Sequence, residues 1–446
     1  MPATISYLSV KSCCSVKIHI SLDASPSGRG KCVPYHVPML IPDVLSSRDR
    51  RRAEALPAVA LLVALSAIAP MTVDMFLPSL PTMAEEFGVS ESTLQLAVTL
   101  FIISFAGSQL VYGPASDRIG RRPALLAGLA LFVAGSLIAL SAQSVEILLV
   151  GRVVQGLGGG AGPAVAQAIV LDIYGRQRAA RVLSYMAIAL PLAPAIAPIF
   201  GGFLHDAFGW HSVFITLTVI GVLLALAYGF GIPETRPRRA PGTSDLGGLV
   251  RDYRTVFSSR TYLAYATVMG LMFGGQLVFI SSSSFVLQEE FGLSAQWFGL
   301  SFGLVAMGIM LGATISSRLV VRLPSHRIVL LGTALAAASS VLMFAWVLKS
   351  DSGGVWSVLV PMFATAIGLG LTRPAAMAGA LVPFPHIAGL ASALLGFLQM
   401  LIASVYNIVY GALVPFGAAA LAAGVACSVS AAFLTVVILR PRPIET

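Results

Sequence analysis

"GPASDRIGRRP", residues 113–123, places four charges in a short stretch between two apolar runs. The first run ends at Tyr112 and the next begins at Ala124. The chain has 446 residues, of which 57% are hydrophobic and 11% are charged. Soluble domains are about 45–50% apolar and about 25% charged. The composition therefore predicts a membrane protein, and the charged stretch is predicted to be a loop between two membrane-spanning helices.

Apolar runs of the length that a membrane helix needs, about 20 residues, occur along the whole chain. Twelve are found: 57–79, 92–112, 123–142, 147–170, 182–204, 211–232, 261–286, 296–316, 327–348, 355–378, 387–411 and 415–439. They are too long for barrel strands and show no period-two alternation. We therefore predict an all-α integral membrane protein with twelve transmembrane helices.

The distribution of charge between the connections predicts the orientation of these spans. With the N-terminus inside, the cytoplasmic connections carry Arg118, Arg121, Arg122, Arg176, Arg178, Arg181, Arg236, Arg238, Arg239, Arg251, Arg254, Arg260, Arg318, Arg322, Arg327, Arg440 and Arg442. The outer connections carry Lys349 and the acids Glu85, Glu86, Glu91, Glu146, Asp206, Glu289, Glu290 and Asp351. Because positive residues stay inside, we expect both termini in the cytoplasm, which for a bacterial chain places the spans in the inner membrane. The positive charge then requires no nucleic-acid partner.

The chain divides into two similar halves. Pro163-Ala164 of span four aligns with Pro374-Ala375 of span ten, as expected for two homologous bundles with a site at their interface. We predict an N-terminal six-helix bundle, 51–232, and a C-terminal one, 261–440. The connecting linker, 233–260, contains an amphipathic surface helix, and residues 441–446 form a cytoplasmic tail.

Residues 1–50 differ from the rest of the chain in composition. They contain three of the four cysteines, without the spacing of a zinc site. They lack the apolar core and cleavage site of a signal peptide. We expect these residues to be a disordered cytoplasmic leader. The true translation start is then near Met39, and the first 38 residues are read from a start assigned too early. A redox or metal-binding arm is the alternative.

Four motifs, in order along residues 57–440, resemble those of the major facilitator superfamily. "GPASDRIGRRP" resembles its loop 2–3 signature, and "TVDMFLPSLP" (72–81) resembles the end of helix one in the bicyclomycin-resistance (Bcr/CflA) branch of drug:proton antiporters. "GRVVQGLGGGAG" (151–162) resembles the helix-four motif, and "APAIAPIFGG" (193–202) is similar to the antiporter motif of helix five. The last motif contributes Pro194, Pro198, Gly201 and Gly202; Ala197 stands where other drug exporters often have glycine. The resemblance implies the major facilitator fold, with two pseudo-symmetric six-helix bundles.

The loop motif is predicted to be a gate. Gly113 and Gly120 allow the backbone to turn, and the acid Asp117 can cap a helix N-terminus. In the resembling family that helix is the eleventh span, which starts here near Ile387. We expect Arg121 to reach Asp172 and both contacts to form only when the halves close on the cytoplasmic side. Arg118 and Arg122 complete the motif; simple anchoring to the inner surface is their alternative.

Three charges lie inside the predicted spans: Asp74, Arg152 and Arg373. Such charges cost at least about 2.5–3.5 kcal/mol each, so each is a functional candidate. Asp74 and Arg152 lie at the same depth, roughly 8–9 Å below the outer boundary, so we expect them to be partners. The resemblance implies that Asp74 carries the coupled proton and that Arg152 regulates it. A fixed structural ion pair is the alternative, and Arg373 is expected to snorkel to the cytoplasmic surface.

A sparse set of polar and soft apolar side chains is predicted to line the substrate cavity. These are Met71, Met75, Gln155, Gln276, Gln399, Tyr406 and Asn407. Methionine adapts to several ligand shapes, which favours partly hydrophobic substrates over sugars.

The sequence therefore predicts a proton-coupled exporter of small, partly hydrophobic drugs or toxic compounds, working by alternating access. A carrier of a metabolite such as a sugar or amino acid, and a non-transporting membrane sensor or enzyme, are the alternatives. There is no phosphate-binding loop and no zinc-protease helix motif. We expect no enzymatic activity, no metal and no cofactor apart from the coupling proton. The expected partners are the small-molecule substrate and the lipid bilayer, and the expected state is a monomer.

Overall fold

The computed structural model describes residues 5–12, 15–20, 33–37, 56–189, 192–235, 246–349, 354–384, 387–413 and 417–439. The central part of the linker, the tail and the rest of the leader lie outside the described residues. So do the side chains of Arg176, Arg178 and Arg181.

Three antiparallel strands lie within the leader: β1 (Ile5–Ser12), β2 (Ser15–Ile20) and β3 (Val33–Val37), in the order β1-β2-β3. The expectation of a disordered leader is therefore wrong for these segments. Val16, Ile18 and Ile20 alternate with polar residues, a pattern that favours a strand. Pro34 is tolerated because β3 is an edge strand.

The rest of the described chain is helical, and its helices form one domain. They are α1 (Leu56–Asp74), α2 (Leu80–Phe87), α3 (Glu91–Ile119), α4 (Arg121–Leu140), α5 (Val145–Gly159), α6 (Ala161–Ala189), α7 (Leu192–Phe208), α8 (His211–Gly231), α9 (Leu246–Phe257), α10 (Arg260–Phe285), α11 (Ala295–Leu319), α12 (Ser325–Lys349), α13 (Trp356–Leu381), α14 (Ala388–Leu413) and α15 (Ala418–Leu439). A 3₁₀ turn, Leu77–Ser79, follows α1, and a π-helical turn, Val286–Glu290, follows α10. Helix α9 lies within the linker between the halves.

Eleven helical segments among the described residues are long and apolar enough to cross a membrane. The fifth predicted span, 182–204, is divided between the end of α6 and α7, which has 17 residues and lies just below the usual spanning length. The fold is a multi-pass helical membrane domain, consistent with twelve spans.

Glycines allow equivalent helix pairs in the two halves to pack closely. In the first half α4 packs on α5, where a Cβ at Gly135 would clash with the backbone of Gln155. In the second half α12 packs on α13, where a Cβ at Gly368 would lie 2.5 Å from the carbonyl oxygen of Gly332. Small residues at such contacts are typical of membrane helices, because close packing replaces the hydrophobic driving force.

The helical domain has two chemically distinct ends. The arginine-rich end carries Arg118, Arg121, Arg122, Arg318 and Arg322, at or beyond the ends of α3 and α11. The acidic end carries Glu85, Glu86, Glu91, Glu289 and Glu290, and Glu91 lies within electrostatic range of Glu289 and Glu290. Since α3 begins at Glu91 and ends at Ile119, it connects the two ends directly.

The two halves meet along two helix pairs, α3 with α14 and α7 with α11. The second contact is tight because of glycine: a Cβ at Gly202 would lie 2.5 Å from the carbonyl oxygen of Ala295, and one at Gly299 would lie 2.7 Å from that of Pro198. Gly201 lies equally close to the backbone of Met75. The predicted antiporter motif, 193–202, lies in α7 and includes Pro194 near its start. Its residues Pro198, Gly201 and Gly202 let α7 approach both the end of α1 and the opposite half.

Candidate functional site

The loop motif at the arginine-rich end turns at a single residue. Helix α3 continues through Gly113 and Pro114 to Ile119, so the predicted turn at Gly113 is wrong. The chain reverses at Gly120, whose φ of +109° favours glycine. Pro123 then falls in the first turn of α4, where its missing N–H causes no loss.

Arg121 is the centre of a polar cluster at this turn. Its guanidinium is largely buried, donates from Nε to Asp172 of α6 at 2.9 Å and from Nη1 to Ser116 at 2.7 Å, and pairs with Asp117 at 2.7 Å. The predicted contact with Asp172 is therefore present. Because all these residues belong to the first half, the contact does not require the halves to close, contrary to the expectation.

Asp117 does not make the contact predicted for it. Its side chain is 50% exposed, and its ion-pair partner is Arg121, one turn along the chain. A cap on the start of α14 is not seen among the described residues. Among the described residues Asp117 therefore makes no latch contact with α14, and Arg118 and Arg122 are exposed at the same surface.

Glu234 is a site residue that the motif did not reveal. It lies just beyond α8 and accepts hydrogen bonds from the backbone N–H groups of Arg121, at 2.9 Å, and Arg122, at 3.0 Å. These are orphan donors at the N-terminus of α4, where a carboxylate is favourable. The Arg122 side chain donates in turn to the Gly229 carbonyl in α8. The signal in the sequence was an acid directly after an apolar span.

Arg152 lies fully buried in the first half, in a site made of rings and amides. Its guanidinium carbon is 4.7 Å from the centre of the Phe76 ring and 4.5 Å from that of Phe101. Nε donates to the Ala97 carbonyl at 3.1 Å, and Nη1 donates to Gln155 at 2.7 Å, whereas Nη2 has no hydrogen-bond partner among the described residues. A buried guanidinium with an unused N–H is able to donate to a further acceptor, such as a carboxylate.

Asp74 is the last residue of α1 and is 4% exposed. Among the described residues its carboxylate makes no ion pair and no hydrogen bond, so the predicted ion pair with Arg152 is not formed here. The depth estimate was nevertheless useful, because Arg152 contacts Phe76, two residues beyond Asp74. The aromatic rings occupy the faces of the guanidinium, and cation–π contacts take the place of the expected carboxylate.

The residues predicted to line the cavity separate into two groups. Gln155 is fully buried, accepts from Arg152 and donates to Ser136 at 2.8 Å, so it belongs to the arginine site. The Tyr406 hydroxyl donates to the Gly424 carbonyl of α15 at 2.7 Å, within the second half. Asn407 bonds residues of both halves. The prediction that these three line a cavity is not supported.

Gln276 and Gln399 remain the best cavity candidates among the described residues. Neither amide forms a hydrogen bond there, so both retain their capacity for a ligand. Gln276 follows Gly275, which packs on α15, and its side chain is directed about 100° around α10 from that contact. Of the two methionines, Met71 is half-buried and Met75 is buried. Arg373 is exposed on the last third of α13, away from the buried arginine site.

The fold and these buried polar sites define a class of protein, a multi-pass membrane transporter without enzymatic activity. The model of the Major Facilitator Superfamily matches residues 62–407. The chain therefore belongs to the Major Facilitator Superfamily, and its relatives place it in the bicyclomycin-resistance (Bcr/CflA) branch.

Two relatives and one solved structure illustrate the similarity. Multidrug resistance protein D of Escherichia coli (strain K12) is 29% identical over 353 residues, covering 78% of this chain and 87% of that protein. A bicyclomycin resistance protein homolog of Haemophilus influenzae is 27% identical over 341 residues, covering 76% of this chain and 85% of that protein. The crystal structure of a D-xylose-proton symporter matches with a TM-score of 0.71 at 14% identity, covering 85% of this chain and 96% of the symporter. The last similarity concerns the fold alone.

Proposed function

We infer that this transporter exports small, partly hydrophobic drugs or toxic compounds in exchange for protons. The names of the relatives support the substrate class, since two of them are called multidrug and bicyclomycin resistance proteins. The half-buried Met71, the buried Met75 and the amides of Gln276 and Gln399, which form no hydrogen bond among the described residues, support it chemically. Protons are the coupling ion, and neither a metal nor an organic cofactor is needed.

The observation that carries the mechanism is the one-sided contact between the halves. All hydrogen bonds that join described residues of the two halves lie at the acidic end: Gln95–Ser282, Asn407–Thr99, Ser284–Leu77 and Gln288–Pro78. At the arginine-rich end Asp117 is half-exposed and unlatched. A domain closed at one end and unlatched at the other is what one state of alternating access requires.

In this proposal the arginine-rich end faces the cytoplasm of a bacterial cell, because positive residues are retained inside. The structure then corresponds to the state that receives substrate from the cytoplasm. Engagement of Asp117 with α14 would stabilise the opposite state. The functional unit is a monomer in the inner membrane, with both termini in the cytoplasm.

Asp74 is proposed to carry the proton. Among the described residues it is a buried carboxyl without a partner, and Arg152, whose Nη2 has no hydrogen-bond partner there either, lies beside the turn that follows it. A conformational change that brings the two together would favour the charged carboxylate and release the proton. Substrate binding and proton binding would thereby be coupled through one titratable group.

The test is drug susceptibility in a host that lacks its own exporters, followed by proton flux in everted membrane vesicles. Expression should raise the tolerated concentration of several unrelated partly hydrophobic drugs, and adding those drugs should dissipate the proton gradient. Sugars or amino acids that compete with the drugs would indicate a metabolite carrier instead. Absence of drug-dependent proton movement at normal membrane abundance would contradict the proposal.

A further inference from the structure

Five polar side chains form a connected network between the halves, which we call the seam network: Gln95 and Thr99 of α3, Ser281 and Ser282 of α10, and Asn407 of α14. All five are buried, and the most accessible is 9% exposed. They lie in the part of the interface nearer the acidic end. Their chemistry differs from that of the surrounding core, which is apolar.

Asn407 is the link between the halves in this network. Its Oδ1 accepts from the Ser281 hydroxyl at 3.0 Å within its own half, and its Nδ2 donates to Thr99 Oγ1 of the other half at 3.0 Å. The Thr99 hydroxyl in turn donates a hydrogen bond to the backbone carbonyl of Gln95, in the same helix, at 3.2 Å. One helical turn away, Gln95 Nε2 donates across the interface to Ser282 at 3.2 Å. Two cross-half bonds thus lie side by side.

A permanent interface is expected to be built differently. Well-packed apolar side chains at such buried positions generally stabilise as much as or more than polar ones. When two polar surfaces meet, their groups bond each other, and when the surfaces part, the same groups bond water. The free energy therefore differs little between the closed and the open interface. The seam network therefore has the composition of a surface that repeatedly opens and closes.

We propose that the seam network is the gate at the acidic end of the transporter, with Asn407 as its positioning residue. The inference rests on the proposed function, in which the halves separate at this end in each cycle. The Asn407–Thr99 and Gln95–Ser282 bonds break on opening, and water takes the places of the lost partners. Ser281 holds the Asn407 amide in the orientation in which its Nδ2 meets Thr99 on closing.

The test measures gate opening directly in purified protein in detergent. Cys13, Cys14, Cys32 and Cys427 are replaced by serine, and Ser283→Cys is introduced as the reporter. Ser283 is fully buried beside the network and its hydroxyl has no partner, so the substitution is mild. Its rate of reaction with a small maleimide reports how often the acidic end opens.

Thr99→Val removes the cross-half acceptor and keeps the side-chain shape. With valine at position 99 the Nδ2 group of Asn407 is buried without its acceptor when the gate is closed, whereas water supplies an acceptor when the gate opens, so we expect the reporter to react about two- to tenfold faster. Thr99→Ser should restore the parental rate. Thr333→Val is the matched control, because Thr333 is equally buried but, among the described residues, bonds only carbonyls of its own helix, those of Val329 and Leu330.

Equal labelling in Thr99→Val and Thr333→Val would overturn the gate. If Thr99→Val does not purify as a monodisperse protein, Ser282→Ala, which removes the second cross-half bond, is used and must accelerate labelling in the same way. The measurement needs neither drug nor proton gradient. Faster labelling in a chain that exports nothing would therefore contradict the proposed function alone, and unchanged labelling in an active exporter would contradict the gate alone.

Discussion

Asp74→Asn separates the proposed role of this residue in proton transfer from a structural one. The carboxyl is 4% exposed and has no ion-pair or hydrogen-bond partner among the described residues. Breaking a buried ion pair typically costs about 3–5 kcal/mol, and here that cost is absent. Asparagine has nearly the same size and removes an unpaired titratable group. We therefore expect no loss of membrane abundance and no fall in the apparent melting temperature.

The expected effect on transport is large by contrast. A gradient of one pH unit supplies about 1.4 kcal/mol for each proton that is exchanged, enough for a roughly tenfold concentration ratio of the substrate. Without the titratable group the variant should still bind substrate. The ratio of substrate concentrations across the proteoliposome membrane should fall from about 10 to about 1. Asp74→Glu, which keeps the proton, should retain part of the gradient-driven transport.

Substrate-induced proton release from purified protein is the decisive assay. The parent should release protons into weakly buffered solution on addition of drug, and Asp74→Asn should release none. Asp206→Asn is the control, because it removes an exposed acid near the end of α7 and should leave the release unchanged. Undiminished release from folded Asp74→Asn would refute the assignment and direct the search to Asp172.

Three further substitutions test the structure around the site. Glu234→Gln should lower the stability of the folded protein by about 1–3 kcal/mol, seen as a lower apparent melting temperature, because one charge-assisted cap on α4 is lost. Glu146→Gln, which changes an exposed acid in the first turn of α5, is the control and should leave the apparent melting temperature nearly unchanged. Gly135→Ala should destabilise by about 1–3 kcal/mol, because its Cβ would clash with α5, whereas Gly107→Ala, with open space around it, should be neutral or stabilising; equal yields of the two folded variants would contradict the packing argument. Asp117→Asn should leave the melting temperature unchanged, since its ion pair is half-exposed, but lower the maximal transport rate about two- to fivefold; an unaltered rate would argue against a latch.

Much of the loop motif could be predicted from sequence because its chemistry is local. Gly120 lies where the chain must reverse between two spans, and Arg121, one residue later, lies at the same membrane boundary as Asp172, just after the fourth predicted span, 147–170. The contact of Arg121 with Asp172 followed from this reasoning. Glu234 was missed because it is far from the motif in sequence, and only the packing of α8 against α4 brings its carboxylate to the start of α4.

Three of the residues predicted to line the cavity bond other groups of the protein, and the sequence could not foresee this for a physical reason. A glutamine or asparagine within a membrane span must find hydrogen bonds, but the sequence does not say whether the partner is a ligand, a neighbouring helix or the other half. Gln155 forms hydrogen bonds with Arg152 and Ser136, Tyr406 donates to the backbone of α15, and Asn407 bonds residues of both halves. Gln276 and Gln399 found no partner among the described residues.

By itself the amino-acid sequence determined that this protein is a bundle of membrane helices in two related halves. The length of an apolar run and the cost of a charge in lipid can both be read from the order of residues along the chain. It also located the buried charges and the turn between α3 and α4. The tertiary structure alone decided that Arg152 packs between two aromatic rings instead of pairing with Asp74, and that the halves are joined at the acidic end. Those features depend on which helix faces meet, and side chains from distant parts of the chain become partners only when helices pack together.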